Sequence, residues 1–320
     1  TRVRSSAASD VYKRQDYYFE SWGGMRVNAW AAKGSDWYYM DSNGTPKGEG
    51  WLLYDKNWYY LRQDGKMMHS EWLWYDNNWY YLQSWGGMYK SQWVTIKGAT
   101  YYFRSWGGIY KNGWQEVDGK TYYFRSWGGM YRSTFFKAPT GSALYYADEN
   151  GKMAVGKKQI DGDWYYFKDW GGMYQNAFIK NGTSVCHAAA DGKLTVGWLQ
   201  QGSTYYYFDE NGEQYFDRFF EYDNNTYRVN ADGKMATGWQ KINGTYYYFR
   251  GWGGMYRGTF FQLGGETYYA DADGKMVTGW LSKENQWYYF RENGAMYRNT
   301  FFTPVSYTHL RAHETRHELV

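Results

Sequence analysis

Aromatic residues recur along this chain at a fixed spacing. The first five members of the series are 21 residues apart and three later ones are 41 residues apart: Trp30, Trp51, Trp72, Trp93 and Trp114, then Trp198, Trp239 and Trp280. A repeat of this length indicates an array of small supersecondary units. We count fourteen units between residues 16 and 302, and the aromatic residue that ends a unit is its closing residue.

Each unit contains a four-residue aromatic segment whose side chains alternate in type. In residues 58–61 the segment reads Trp-Tyr-Tyr-Leu, and we number its positions one to four. Position two is Tyr in thirteen units, and position four is Phe, Leu, Met, Val or Ala. Because successive side chains of a strand point to opposite faces, this pattern predicts a β-strand that buries positions two and four. Positions one and three lie on the less uniformly packed face.

Two kinds of turn follow the aromatic strand. One is Asp-Gly or Asn-Gly before Lys, as at Asp64 and Gly65, and the other is Trp-Gly-Gly, as at Trp85. Glycine supplies the positive φ that tight hairpin turns require, so each unit is predicted to be a β-hairpin. A lone hairpin is only marginally stable in water. We therefore predict an all-β fold, a β-hairpin solenoid of about fourteen stacked repeats of 19–22 residues.

The composition supports an aromatic core and excludes two classes of protein. Aromatic residues make up 24% of the chain, and 39 Gly accompany only 3 Pro, so large rings replace aliphatic side chains in the core. The longest apolar run has five residues, too few for a membrane span. The repeats are nearly neutral, because most of the net charge of +4 comes from residues 1–15. Near-neutrality argues against nucleic acid as a partner.

The two ends of the chain differ in composition from the repeats. Residues 1–15 and 303–320 contain no Trp, Phe or Gly, and both resemble translated adapter sequence. We expect them to be non-native or disordered flanks of a repeat region spanning 16–302. The second flank contains the H-E-x-x-H spacing of a zinc-protease helix at His313 and His317. It lies in a polar tail without a third ligand, so we expect no metal site.

The sequence offers no catalytic machinery that stands out from the repeat. Cys186 and His187 occupy strand positions two and three of one unit, without a general-base partner. No pair of carboxylates differs from the acidic residues of the turns. We therefore expect a non-catalytic protein that uses no cofactor.

The repeat resembles that of the cell-wall-binding repeat family. The recurring parts are a Gly-Trp or similar closing pair, a polar turn, Trp-Tyr-Tyr-Phe or Trp-Tyr-Tyr-Leu, and Asp-x-x-Gly-x-Met, and together they cover residues 16–302. The family includes choline-binding repeats of surface proteins and glucan-binding repeats of glucosyltransferases. The resemblance implies ligand pockets between consecutive hairpins, built from a closing Trp, strand aromatics and a nearby Met. It also implies a secreted or wall-associated protein.

Carried onto this sequence residue by residue, the resemblance implies four candidate ligand sites. Each combines a closing Trp with positions one and three of the strand that follows, and three of them add a Met. The sets are Trp30, Trp37 and Tyr39; Trp51, Trp58, Tyr60 and Met67; Trp72, Trp79, Tyr81 and Met88; and Trp280, Trp287, Tyr289 and Met296. In the first set Pro46 stands where Met is expected. Pockets with Thr or Tyr at position one, or with a Phe closing residue, are expected to be altered.

Aromatic cages suit a quaternary ammonium group, which binds to ring faces rather than through hydrogen bonds. The first hypothesis is therefore a module that binds the choline of teichoic acids through several weak pockets acting together. An α-glucan or another wall or extracellular polysaccharide, stacking on the same rings, is the alternative partner. A structural spacer without a ligand is the third interpretation. In the first two cases the chain would be the attachment region of a larger protein, such as a cell-wall hydrolase or a glucosyltransferase.

Overall fold

A computed structural model describes residues 16–301 and 303 of the protein. These residues form thirteen two-stranded antiparallel sheets and no helix. The strands are β1 (Ala29–Lys33), β2 (Asp36–Met40), β3 (Gly50–Tyr54), β4 (Asn57–Leu61), β5 (Glu71–Tyr75), β6 (Asn78–Leu82), β7 (Gln92–Ile96), β8 (Ala99–Phe103), β9 (Gly113–Val117), β10 (Lys120–Phe124), β11 (Thr134–Lys137), β12 (Leu144–Ala147), β13 (Gly156–Ile160), β14 (Asp163–Phe167), β15 (Ala177–Asn181), β16 (Ser184–Ala188), β17 (Gly197–Gln201), β18 (Thr204–Phe208), β19 (Arg218–Tyr222), β20 (Asn225–Val229), β21 (Gly238–Ile242), β22 (Thr245–Phe249), β23 (Thr259–Leu263), β24 (Glu266–Ala270), β25 (Gly279–Lys283) and β26 (Gln286–Phe290). The predicted flanks, apart from Thr303, and the His313–His317 motif lie outside the described residues.

Every hairpin but one joins a strand that carries a closing residue to the strand of positions one to four that follows it; β13 has Lys157 in place of an aromatic closing residue. In the β3–β4 hairpin Trp51 pairs with Tyr60 and Leu53 with Trp58. Between the strands Asp55 and Lys56 have φ values of 45° and 61°. Positive φ at both central residues is typical of a type I′ turn, whose twist matches that of the flanking strands. The closing residue and positions one and three therefore share one face of the hairpin.

The all-β hairpin repeat is confirmed, but the hairpins are divided differently from the predicted units. The second turn of a unit does not join two strands of a sheet. After Gly65 the chain meets the aromatic strand only at a single bridge between Leu61 and Met67, because Met67 N donates its hydrogen bond to the preceding hairpin. The first predicted unit contains only the bridge between Phe19 and Met25, so the fourteen units give thirteen hairpins among residues 16–301.

One backbone hydrogen bond connects consecutive hairpins throughout the repeats. Met67 N donates to Trp37 O at 2.8 Å, and Met88 N donates to Trp58 O at 2.8 Å. The acceptor is the position-one carbonyl of one hairpin, and the donor is the residue that forms the single bridge in the next. The side chain at position one is thereby held beside the bridge residue of the following repeat.

The core of the repeats consists of side chains from positions two and four, as predicted. Six phenylalanines at position four are at most 1% exposed: Phe103, Phe124, Phe167, Phe208, Phe249 and Phe290. At position two Tyr59, Tyr80 and Tyr101 are 8–9% exposed. Burial raises the pKa of each of these three phenols above the ordinary value of 10.0, because an ionised ring would lose its hydration. The tyrosines of the core therefore stay neutral at physiological pH.

The chain divides into two compact units. One contains the described residues up to Lys158 together with Tyr166–Met173, and the other contains Gln159–Tyr165 and the described residues from Tyr174 onward. No helix in the described part of the chain is long and apolar enough to cross a membrane. Within residues 16–301 and 303 no group of three or more His, Cys, Asp or Glu side chains is arranged to hold a metal ion.

Candidate functional site

Two indoles meet at nearly a right angle on the face of a hairpin that carries the closing residue. The ring centroids of Trp51 and Trp58 are 6.3 Å apart with an interplanar angle of 88°. Those of Trp72 and Trp79 are 6.3 Å apart at 82°. The strand register places them together, because the closing residue pairs with position three, two residues beyond position one. We call such a pair an indole corner, since it presents two perpendicular aromatic surfaces to one small volume.

The next hairpin supplies the opposite wall of this volume. Tyr80, at position two of that hairpin, has its ring centroid 5.1 Å from that of Trp51. Met88 is held beside Trp58 by the backbone hydrogen bond between the two residues. Tyr80 and Met88 are buried in the same cluster, against which Trp51 packs. We call the volume between the closing residue and position one of a hairpin and the position-two and bridge residues of the next hairpin a slot.

A further indole, from a Trp-Gly-Gly turn, stands at the edge of each slot. Trp106 lies 5.8 Å from Tyr80 and is 43% exposed, and Trp85 lies 5.8 Å from Tyr59 and is 48% exposed. The groups around Tyr59 line one open cavity. It is lined by Trp30, Ser35, Trp37, Tyr59, Met67, His69, Ser84 and Trp85.

Three consecutive slots in the first unit carry two indoles at the corner and a third at the edge. Their aromatic and apolar walls are Trp30, Trp37, Tyr59, Met67 and Trp85 in slot 1; Trp51, Trp58, Tyr80, Met88 and Trp106 in slot 2; and Trp72, Trp79, Tyr101, Ile109 and Trp127 in slot 3. The centroid distance from the closing Trp to the opposing Tyr is 4.9, 5.1 and 4.8 Å in turn. The contact between closing Trp and opposing Tyr is thus repeated three times, and the perpendicular indole pair is observed in slots 2 and 3.

The structure brings the expected indoles together but regroups the methionines by one repeat. Met67, expected with Trp51 and Trp58, instead lies in slot 1 beside Trp37. Met88, expected with Trp72 and Trp79, lies beside Trp58 in slot 2. The cause is the hydrogen bond from the bridge residue to the preceding hairpin. Met67 therefore lies with Trp30 and Trp37, the set for which the sequence predicts no methionine. Pro46, which stands at the expected methionine position of that set, forms a bridge to Met40.

The position-three tyrosines lie behind the closing Trp rather than in the slot. Tyr60 is 7% exposed, its ring is 5.2 Å from that of Trp51, and its hydroxyl donates to Glu49 Oε1 at 3.2 Å. Tyr39 and Tyr81 make the same ring contact with Trp30 and Trp72, at 5.4 and 5.1 Å. These tyrosines hold the closing indole in place.

Sequence reasoning missed the position-two tyrosines and the Trp-Gly-Gly indoles as slot walls. A signal for the indoles was present, because Trp85, Trp106 and Trp127 each follow the position-one Trp of their slot by the same 48 residues. Because these 48 residues exceed two repeats, the relation is recognised only when each repeat is compared with the second repeat after it.

The fourth expected set contains an indole corner in the last hairpin of the described residues. Trp280 and Trp287 lie 6.2 Å apart at 86° and are 56% and 69% exposed. Tyr289 is 4.9 Å from Trp280. No hairpin follows β26 within residues 16–301. Met296 donates its backbone N–H to Thr267 O at 2.7 Å, in the preceding hairpin, so this set stays a prediction.

The slots offer ring faces and a thioether more than hydrogen-bonding groups. No carboxylate lines slot 1. Lys90 and Lys111, two residues beyond Met88 and Ile109, direct their ammonium groups to turn carbonyls, with Nζ 3.4 Å from Lys56 O and 3.0 Å from Asn77 O. Such walls suit a small cation that forms no hydrogen bonds. The polar side chains that line slot 1 are Ser35, His69 and Ser84.

The edge indole depends on the second glycine of its turn. A Cβ at Gly87 would lie 1.9 Å from Trp85 Cη2, so Gly87→Ala is expected to displace this indole and to destabilise the first unit by about 1–3 kcal/mol. Tryptophan fluorescence and urea unfolding measure the two effects. Gly48→Ala is the matched control, because a Cβ at Gly48 meets no atom within 4 Å. Equal effects of the two substitutions would contradict this role of Gly87.

Models of two repeat families match the chain. The model described as a choline-binding repeat matches residues 111–157 and 262–301. The model described as a putative cell wall binding repeat matches residues 28–45, 49–67, 70–88, 91–109, 158–173, 196–213, 217–235 and 237–255. Together the matched segments cover most of the chain. No curated protein matches it.

Several solved structures are similar to this chain. Choline-binding protein CbpF of Streptococcus pneumoniae, in complex with ipratropium, is 22% identical over 79% of this chain and 99% of its own, with a TM-score of 0.60, a likeness that concerns the fold. The modular autolysin LytC of Streptococcus pneumoniae is 26% identical over 75% of this chain and 51% of its own, with a TM-score of 0.47. The choline-binding domain of CbpL from the same species is 27% identical over 66% and 98%, with a TM-score of 0.34. This chain thus spans about half the length of LytC.

Proposed function

The chain belongs to the family of choline-binding, cell-wall-binding repeats, and from this premise we propose that slots 1 to 3 bind the choline groups of cell-wall teichoic acid. One observation carries the proposal. Three consecutive slots repeat an enclosure of three indoles and one buried tyrosine. A purely structural stack would not require position-one indoles that remain 44% and 39% exposed at Trp37 and Trp58.

The chemistry of the slot matches that of a trimethylammonium group. The group carries a positive charge but neither donates nor accepts hydrogen bonds, so aromatic faces within about 6 Å are its best partners. In slot 2 the two corner indoles are perpendicular and 6.3 Å apart, which lets one cation face both rings. Tyr80 and Met88 close the inner side and exclude water.

Each slot is expected to bind weakly, because a cation–aromatic contact contributes about 0.5 to 2 kcal/mol. A wall polymer carries many choline groups, and occupying one slot raises the local concentration of choline at the next. The repeats therefore act as a multivalent wall anchor. The repeat module is non-catalytic in itself, and we propose that it attaches a larger secreted protein, such as a wall hydrolase, to the cell surface.

The test is retention of the protein on a choline-bearing matrix. We expect the protein to bind the matrix and to elute with free choline chloride, because free choline competes for the slots. Sodium chloride at the same ionic strength is the control and is expected to leave the protein bound. Failure to bind, or equal elution by both salts, would refute choline recognition. Binding to an α-glucan matrix that choline does not reverse would favour the carbohydrate alternative instead.

A further inference from the structure

Three slots have a buried threonine where slots 1 to 3 have the position-one indole. Four polar side chains are buried in the described part of the chain: Thr100, Thr226, Thr267 and His187, each 7–8% exposed. The three threonines all occupy position one of an aromatic strand. A short side chain at the mouth of a slot stays buried only if another group covers it.

The covering group is an arginine in each of the three cases. Arg132 Nη1 donates to Thr100 Oγ1 at 3.2 Å, Arg257 Nη1 donates to Thr226 Oγ1 at 2.7 Å, and Arg298 Nη1 donates to Thr267 Oγ1 at 3.1 Å. Each arginine stands two residues beyond the methionine whose backbone N–H donates to the carbonyl of the same threonine. The guanidinium group therefore crosses from one hairpin to the next.

The same guanidinium also contacts the turn that would carry the edge indole. Arg132 Nε donates to Glu149 O at 2.7 Å, and Arg257 Nε donates to Ala272 O at 3.0 Å. Both turns are of the Asn-Gly or Asp-Gly form rather than Trp-Gly-Gly. In these slots one arginine thus spans the mouth from the position-one side chain to the opposite turn. Arg257 is further paired with Glu221 at 3.1 Å.

A fourth threonine provides an internal comparison. Thr121 receives the same backbone hydrogen bond, from Met153 N at 3.1 Å, but the residue two positions beyond Met153 is Val155, which is 39% exposed. Thr121 is only half-buried. The three buried threonines therefore differ from Thr121 in having an arginine at this position. Thr100 Oγ1 also lies 3.1 Å from Thr95 Oγ1, and Thr226 Oγ1 donates to Glu221 Oε1 at 2.6 Å.

The residue at the arginine position varies with the residue at position one. Where position one is Trp37, Trp58 or Trp79, the corresponding residues are His69, Lys90 and Lys111. Lys90 and Lys111 donate to turn carbonyls, and Lys111 Nζ also lies 4.6 Å from the ring centroid of Trp74. Where position one is Thr100, Thr226 or Thr267, the residue is arginine.

We propose that Arg132, Arg257 and Arg298 are built-in cations that close their slots to an external quaternary ammonium group. The inference rests on the proposed choline-binding function of slots 1 to 3. Each guanidinium lies at the mouth of its slot and donates to the threonine there, and those of Arg132 and Arg257 also donate to the opposite turn. A guanidinium in this place takes the position that an external cation would occupy. The Thr–Arg pair and the Trp–His or Trp–Lys pair of slots 1 to 3 are alternative states of one specificity element, and they decide which of these slots take choline.

The test uses the slot whose closing residue is Trp93. It replaces the pair Thr100 and Arg132 by Trp and Lys and measures the number of choline molecules bound per chain. Its inner walls match those of an open slot, with Trp93 and Tyr122 at 4.8 Å and Met130 beside Thr100, whereas its edge turn carries no indole. We expect T100W with R132K to bind one more choline per chain than T100W alone, as measured by equilibrium dialysis. The single variant keeps the arginine and is expected to bind the same number as the unsubstituted protein.

Equal numbers of bound choline for the single and double variants would overturn the inference. Thr226→Trp, with and without Arg257→Lys, repeats the comparison in the second unit, and it serves as the test if the first pair does not fold as judged by circular dichroism. Failure of the proposed function has a different signature, because the unsubstituted protein would then bind no choline at all.

Discussion

Replacing Trp37, Trp58 and Trp79 together by alanine is expected to abolish retention on a choline matrix. Each substitution removes one indole of a corner and with it a contact of about 0.5 to 2 kcal/mol. That is a loss of roughly 2- to 30-fold in affinity for each slot. The losses multiply because the slots act together on one polymer. The choline concentration needed for elution and a direct binding titration measure the effect.

The control variant removes three other exposed indoles. Trp22, Trp170 and Trp252 are 80%, 53% and 52% exposed and belong to Trp-Gly-Gly turns outside slots 1 to 3. Their joint replacement by alanine is expected to leave retention intact. Choline recognition by slots 1 to 3 would be excluded if the two triple variants lost retention equally, with both folded by circular dichroism.

Phe249→Ala is expected to lower the free energy of unfolding of the second unit by about 3–5 kcal/mol. Phe249 is fully buried and packs with Ala236, Met255, Ile242 and Tyr247. Removing the ring leaves a cavity. The two flanking hairpins cannot move in to fill it without breaking the backbone hydrogen bonds that join consecutive hairpins. In a repeat protein this loss also weakens the interface with the neighbouring repeat. Urea unfolding followed by circular dichroism gives the change.

Phe178→Ala in the same unit is the matched control. Phe178 is a closing residue, 41% exposed, with its ring centroid 5.6 Å from that of Tyr206. Losing a half-exposed ring creates no closed cavity, so we expect less than half the destabilisation of Phe249→Ala. Similar losses for the two variants would mean that position four does not form the core.

The candidate site was predictable in its indoles but not in its full composition. Trp51 and Trp58 are seven residues apart and lie in one hairpin, so period-two alternation along two paired strands is enough to bring them together. Met67 and Met88 were assigned one repeat too late. Their backbone N–H groups bond to the preceding hairpin, and a pattern that repeats identically cannot reveal in which direction such a bond points.

The role of Arg132, Arg257 and Arg298 could not be predicted from the sequence for a related reason. Arg132 lies 32 residues from Thr100. Arginine is common in polar turns and threonine is common in strands, so neither residue stands out in the sequence. Their contact distinguishes buried Thr100 from half-buried Thr121, which has Val155 at the corresponding position.

The sequence by itself determined that the repeats form hairpins and which face is buried, because strand alternation and the positive φ of Gly and Asn act within a few residues. It did not determine which of the two turns joins the paired strands. It also determined the family, through a motif repeated many times. Tertiary structure alone decided which repeats share a slot, which ring closes its edge and which cation covers its mouth. Those contacts join residues more than one repeat apart, and their geometry follows from the stacking of whole hairpins rather than from any local preference.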